Sequence, residues 1–243
     1  MTTVPNRLNN SSEYNGIGLA LSYLTNMTYD NYEIHLNIPD TNKKTNEEYI
    51  IPEWLLSYRT DIVKIFRCID FGSITKIIPT LDRIENPEQI IITVDDDLEY
   101  MDGFIEYHLL KRKQYPDSAI GFAGISAIDG SSHFCTSVKN DVRVKVIEGY
   151  KTVSYKRNFF GTDFNEFANK SWSDDITISA YLGKNNIMKF VVAYDLDDNF
   201  TPRVESFPCV RILPNEQGGC WEFRNEGVGD NHEEFYALGY LEK

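Results

Sequence analysis

The strongest feature of the hydrophobic pattern is Ile90-Ile91-Ile92-Thr93-Val94, a β-branched run that stops abruptly in Asp95-Asp96-Asp97. A short apolar run of this kind predicts a strand buried on both faces. Upstream, Ile17, Leu21 and Leu24 recur at helical spacing and predict an amphipathic helix over 17–28. Thr2-Thr3-Val4 reads as the end of a very short strand, and Val4-Pro5 turns the chain out of it. The segment YEIHLNI (32–38) alternates as a strand and ends at Pro39, and the polar DTNKKTNEEY that follows reads as a loop. Pro52 opens a short helix, PEWLLSYRT, with proline in its first turn. DIVKIFRCIDF (61–71) is the next strand and ends near Asp70.

Beyond the acids, FIEYHLLKRKQ (104–114) predicts a helix with its basic residues in the last turn, where they complement the helix dipole. SAIGFAGISAI (118–128) reads as another buried strand, and VRVKVIEGYKTVSY (142–155) as one or two strands broken at Gly149. Ser173-Asp174-Asp175 marks a helix N-terminus, with Ser173 as cap and two acids in the first turn, and the helix runs to Gly183. MKFVVAYD (188–195) is a strand, and the Gly-, Pro-, Asn- and acid-rich tail from 196 predicts little regular structure. Strands interleaved with helices give an α/β layout around a mostly parallel sheet. With neither an internal repeat nor a linker, the 243 residues read as a single domain.

Charge narrows the partners. Twenty-four Lys and Arg against 37 Asp and Glu leave a formal charge of −13. That balance disfavours nucleic acid and anionic membranes, which reward basic residues. A nucleotide stays within reach if a metal ion and a few local cations neutralise its diphosphate. The four cysteines show no CxxC spacing and read as reduced thiols. The chain carries neither an apolar run long enough to span a bilayer nor a signal-peptide pattern, which gives the expectation of a cytoplasmic protein without its own membrane segment.

The acids are where chemistry is expected. In open α/β sheets ligands bind at the carboxyl ends of strands. Three adjacent carboxylates repel one another unless something offsets the cost, and a divalent cation shared with a substrate phosphate does so. If the backbone stays extended, Asp95 and Asp97 point the same way, with Asp95 toward a ribose and Asp97 toward the metal. Asp70-x-Gly72-x-x-x-Lys76 is a second candidate: an acid at a strand end to accept from a base N–H, and a lysine to meet a phosphate, against the plainer reading of an exposed acid and a surface lysine. Trp172-Ser173-Asp174-Asp175 is a third. Helix capping explains Ser173 and one acid, while a carboxylate beside an aromatic face also suits a general base for a sugar hydroxyl. His232, after a Gly-rich stretch, is either a solvated tail residue or a further metal ligand.

Together, TTVPNR, YEIHLNIP, DFGSITK, PEQIIITVDDDLEY, YPDSAI and WSDDI resemble the nucleotide-sugar glycosyltransferases of the GT-A fold, most of all the small glycosyltransferase domains of large DNA viruses and their bacterial relatives. The resemblance covers roughly 1–190. It implies a Rossmann-like GT-A domain with a nucleotide-binding half (1–110), an acceptor half (111–195) and an irregular tail (196–243). It places Thr3, Pro5 and Arg7 at the nucleotide and pyrophosphate, Asp70 at the uracil with Lys76 nearby, and Asp95 and Asp97 as the D-x-D acids for ribose and Mn2+ or Mg2+, with Asp96 grouped among the nucleotide-sugar contacts. Asp175, or its neighbour Asp174, is implied near the acceptor, and Glu148, Gly149, Tyr150 and Trp172 along the sugars. The implied activity is metal-dependent transfer of a sugar from a UDP-sugar to a hydroxyl of a glycan or glycoprotein, in the host cytoplasm if the source is viral. The alternative is a GT-A-like domain that binds a glycan or partner without catalysis.

Overall fold

The computed structural model describes residues 1–13, 16–58, 60–128, 131–136, 138–169, 173–193 and 209–211. Along the chain the elements are α1 (Pro5–Asn9), α2 (Ile17–Leu24), β1 (Ile34–Pro39), α3 (Glu53–Ser57), β2 (Val63–Cys68), α4 (Ile78–Arg83), β3 (Ile90–Thr93), β4 (Leu98–Tyr100), α5 (Phe104–Gln114), β5 (Ser118–Gly121), β6 (Ala123–Ile128), β7 (Ser131–Thr136), β8 (Val142–Arg143), β9 (Val146–Ile147), β10 (Val153–Lys156), α6 (Phe164–Ala168), α7 (Asp174–Lys184), β11 (Met188–Val191) and β12 (Cys209–Arg211). Short 3-10 turns lie at Gly72–Lys76, Gly149–Lys151 and Arg157–Phe159. The fold is mixed α/β, and among the described residues no helix is long and apolar enough to cross a membrane.

Two compact units divide the chain. The first comprises Met1–Arg83, Asp95–Glu106 and Cys209–Val228. Its centre is the parallel pair β1–β2, in register from Ile34 opposite Val63 to Pro39 opposite Cys68. Met1 lies along β1: Asn37 N donates to the Met1 carbonyl at 2.9 Å, and Thr2 Oγ1 donates to the Asn37 carbonyl at 2.8 Å. The expected strand end at Thr2–Val4 therefore leans on β1, and the chain turns out of it at Val4-Pro5, as the sequence suggests. Val4 is extended and caps α1, and Pro5 takes the first helical position, where its missing N–H costs nothing. Part of the expected irregular tail is strand, since β12 pairs antiparallel with β4.

Asn37 is the polar hub of this unit. Fully buried in β1, its Nδ2 donates to the Thr75 carbonyl at 3.1 Å, the Lys76 carbonyl at 3.4 Å and Thr80 Oγ1 at 3.0 Å, while its Oδ1 accepts from Arg83. One side chain thus ties the turn carrying Lys76 to the strand beside it. Replacing it with leucine keeps the volume but strips partners from two carbonyls and a guanidinium. Asn37→Leu is expected to lose on the order of 3 kcal/mol, because buried groups left unsatisfied carry their full desolvation cost. Urea denaturation at unchanged m-value measures this, and a loss below about 1 kcal/mol would deny the hub its role.

The second unit comprises Ile84–Val94, Tyr107–Pro208 and Gly229–Lys243. Its five-stranded sheet has the order β3-β10-β5-β11-β8, beside a smaller sheet β7-β6-β9. The expectation of a mostly parallel sheet is corrected here: the sheet is mixed. β5–β11 pair in parallel, whereas β10 runs antiparallel between β3 and β5, and β11–β8 is antiparallel. The cause lies at 118–156. The run read as one strand breaks between Gly121 and Ala123 into β5 and β6, and β10 returns from β9 through the short Gly149–Lys151 turn rather than through a helical crossover. A Cβ at Gly121 would stand 3.0 Å from Val153 Cγ2 and 3.1 Å from Ile147, so the absence of a side chain lets these strands close up. Tyr181 of α7 packs among Phe160, Phe164 and Phe167, which seats the helix in an aromatic cluster.

Candidate functional site

The acids stand where β3 ends. The strand stops at Thr93, Asp96-Asp97 form a turn, and the chain re-enters strand at Leu98. Side-by-side placement of Asp95 and Asp97 required an extended backbone. The turn removes that premise, and the pairing found is different. Arg7 Nη1 meets Asp96 Oδ1 at 2.5 Å, and Arg7 Nη2 meets Asp97 Oδ2 at 3.2 Å. Thr3 Oγ1 donates to the second oxygen of Asp96. Lys76 Nζ meets Asp95 Oδ1 at 2.7 Å.

Asp96 and Asp97 are only 5% and 8% exposed, so two neighbouring carboxylates sit nearly out of water. Their mutual repulsion is offset by protein cations that the fold brings from elsewhere in the sequence: Arg7 from α1 and Lys76 from the Gly72–Lys76 turn. Burial alone would lower the pKa of the Arg7 guanidinium, but Asp96 and then Asp97 outweigh it and raise that pKa above the ordinary value. The cluster's composition is three acids, two cations and a hydroxyl, held within one unit.

Tyr100 is a participant that the hydrophobic pattern did not single out. It is 1% exposed, accepts from Asp95 N at 2.7 Å and lies 3.1 Å from the Asp95 carbonyl as a donor, which clamps the backbone of the turn. Its signal in the sequence was a tyrosine closing the DDDLEY segment, where it reads merely as a strand aromatic.

Asp70 serves the loops around it. Its Oδ1 accepts from Gly72 N at 2.8 Å and Thr75 Oγ1 at 3.2 Å, and its Oδ2 from Lys43 N at 2.8 Å. Gly72 has φ +74°, a conformation costly for any residue with a Cβ, so the glycine lets the chain fold back onto Asp70. Thr3, Pro5, Arg7, Asp70, Lys76, Asp95, Asp96 and Asp97 all belong to the first unit.

Glu148, Gly149, Tyr150, Asp174 and Asp175 belong to the second unit. Ser173 caps α7 as its sequence suggested, accepting from Ile176 N at 3.4 Å. Asp174 is buried in the first turn, and Asp175 Oδ1 accepts from Gly149 N at 2.7 Å, which pins the Gly149–Lys151 turn to the helix. Tyr150 is 38% exposed and its ring lies nearly parallel to that of Phe134, at 17° and 6.4 Å between centroids. Trp172 and His232 lie outside the described residues.

Among the described residues no three His, Cys, Asp or Glu side chains converge into a group able to hold a metal by themselves. The donor chemistry nevertheless suits Mg2+ or Mn2+. Both are hard ions that take oxygen, and Mg2+ in phosphate sites is usually bound through one or two carboxylates plus substrate phosphates rather than a full protein cage. Asp95 and Asp97 supply carboxylates of that kind, each of them against a protein cation in this structure.

No protein-family model matches the chain, and no curated protein matches it. Solved structures do. The crystal structure of GalNAc-T7 with UDP, GalNAc and Mn2+ resembles it with a TM-score of 0.55 at 14% identity, over 73% of this chain and 40% of that one. The fold is GT-A-like. At this identity the likeness concerns the fold alone, and the chain spans well under half the length of that glycosyltransferase. The acid turn follows directly on β3, at the carboxyl end of that strand.

Proposed function

We propose that the chain is a metal-dependent glycosyltransferase domain that uses a UDP-sugar and transfers the sugar to a hydroxyl of a glycan or glycoprotein. The observation that carries this reading is the acid turn after β3 with Arg7 and Lys76 drawn onto it, in a fold like that of a glycosyltransferase crystallised with UDP and Mn2+.

In this reading Asp95 and Asp97 would hold a Mn2+ or Mg2+, which would supply positive charge for the departing diphosphate. Arg7 and Lys76 add fixed positive charge at the same place: the arginine as a planar fork matched to phosphate oxygens, the lysine as a point charge. Thr3 and Pro5 shape the backbone beside the nucleotide. Asp70 reaches the base through lone pairs left over from its loop contacts. In the second unit Glu148, Gly149 and Tyr150 face the sugars, and Asp175 takes the proton from the acceptor hydroxyl if transfer inverts the anomeric centre. A retaining reaction would not need that base.

The alternative, a binding domain without catalysis, is favoured by one observation: each of the three acids already has a protein cation within 3.2 Å. Calorimetric titration with UDP, with and without Mn2+, separates the two. Metal-dependent UDP binding is expected. Absence of binding in both conditions would reject the enzyme reading and leave the binding domain.

A further inference from the structure

Arg7 touches two different carboxylates through its two terminal nitrogens, and unequally: 2.5 Å to Asp96 and 3.2 Å to Asp97. Asp96 has a second donor in Thr3, so it keeps a partner when the guanidinium moves. The Arg7 side chain is only 10% exposed, hence its charge is poorly served by water and must always have an anion beside it. Carboxylate and phosphate present the same geometry to a guanidinium fork.

We propose that Arg7 is a hand-over residue: in the free protein it neutralises Asp97, and when a nucleoside diphosphate arrives its guanidinium passes from Asp97 to the phosphate, releasing that carboxylate to the metal ion. This rests on the glycosyltransferase reading above and adds a coupling to it. Diphosphate and metal then enter together, because each removes the obstacle to the other: the phosphate withdraws the arginine from the acid, and the metal takes the charge the arginine leaves uncovered. Asp97, with the longer contact, is the acid that yields, while Asp96 stays bound to Thr3 and orders the turn.

The test is a double-mutant cycle read by calorimetric titration of UDP into the metal-free full chain: wild type, Asp97→Asn, Arg7→Gln and the double variant. Asp97→Asn is expected to strengthen metal-free UDP binding by about five- to tenfold, because Arg7 no longer has to leave a carboxylate. In the Arg7→Gln background the same change should alter affinity by less than about twofold. Arg7→Lys, which keeps a charge but does not bridge two carboxylates, should give an intermediate gain. An equal gain in all backgrounds would report only the loss of a negative charge, and would overturn the hand-over while metal-dependent UDP binding by the wild type left the enzyme reading standing. No metal-free UDP binding by Asp97→Asn would likewise overturn it. A wild type that binds UDP neither with nor without Mn2+ would remove both.

Discussion

Asp97→Ala is expected to abolish the Mn2+-dependent part of UDP binding, a loss of more than about 100-fold in affinity. Changes to groups that merely orient a metal's ligands already cost about 10–100-fold, and Asp97 is proposed as a ligand itself. The substitution also isolates the metal contribution cleanly. Arg7 keeps its shorter contact to Asp96, Thr3 keeps its bond to the same acid, and Tyr100 still clamps Asp95. The turn therefore retains these supports, and circular dichroism of the variant checks that the fold survives. Metal-free UDP affinity should rise in the same variant, since the carboxylate that holds Arg7 and repels the diphosphate has gone. Titrations with and without Mn2+ read both quantities from one protein. Unchanged affinity in the presence of Mn2+ would remove Asp97 from the metal site and shift attention to Asp95 alone.

The acid turn was legible from local pattern, its neutralisation was not. Ile90–Val94 announces a strand by composition, but not one buried on both faces: β3 is an edge strand, with Ile90 and Ile92 only half-buried. The acids stand out because nothing near them in sequence could offset them. Their partners come from Arg7, 89 residues from Asp96, and Lys76, 19 residues from Asp95. No periodicity reports a contact of that kind, because it depends on how β1, α1 and the Gly72–Lys76 turn assemble. The same division holds in the fold. Helix α5 matches the expected 104–114 because its termini are marked by turn residues and a basic last turn, and Ser173 marks α7 by cap chemistry. Strand β7 is not announced by the pattern, since Ser131–Thr136 is mostly small and polar and its pairing to β6 lies in backbone hydrogen bonds. The antiparallel insertion of β10 was hidden for a related reason: strand direction is set by the connection, and the Gly149–Lys151 turn resembles a simple break. Short connections decide sheet topology, and side-chain alternation is blind to them.

Asp175→Asn is expected to lower turnover by about 10²–10⁴-fold, the usual worth of a positioned general base, with donor affinity changed far less. The structure makes asparagine the discriminating choice. Asp175 Oδ1 accepts from Gly149 N, and an asparagine carbonyl oxygen accepts the same bond. The Gly149–Lys151 turn with Tyr150 therefore stays pinned to α7 while the proton acceptor is lost. Alanine would remove both, and a slow alanine variant could not tell chemistry from a displaced turn. The comparison of Asn with Ala is thus read in two steps. If Asn is as slow as Ala, the carboxylate acts on the acceptor proton. If Asn turns over near the wild-type rate and only Ala is slow, Asp175 is a support for the Gly149–Lys151 turn, and the transfer runs without it, as a retaining mechanism allows. UDP titration of both variants completes the reading: Asp175 belongs to the second unit and the proposed diphosphate contacts Arg7 and Lys76 to the first, so an unchanged UDP affinity beside a collapsed turnover is the signature of a base rather than of a damaged nucleotide site.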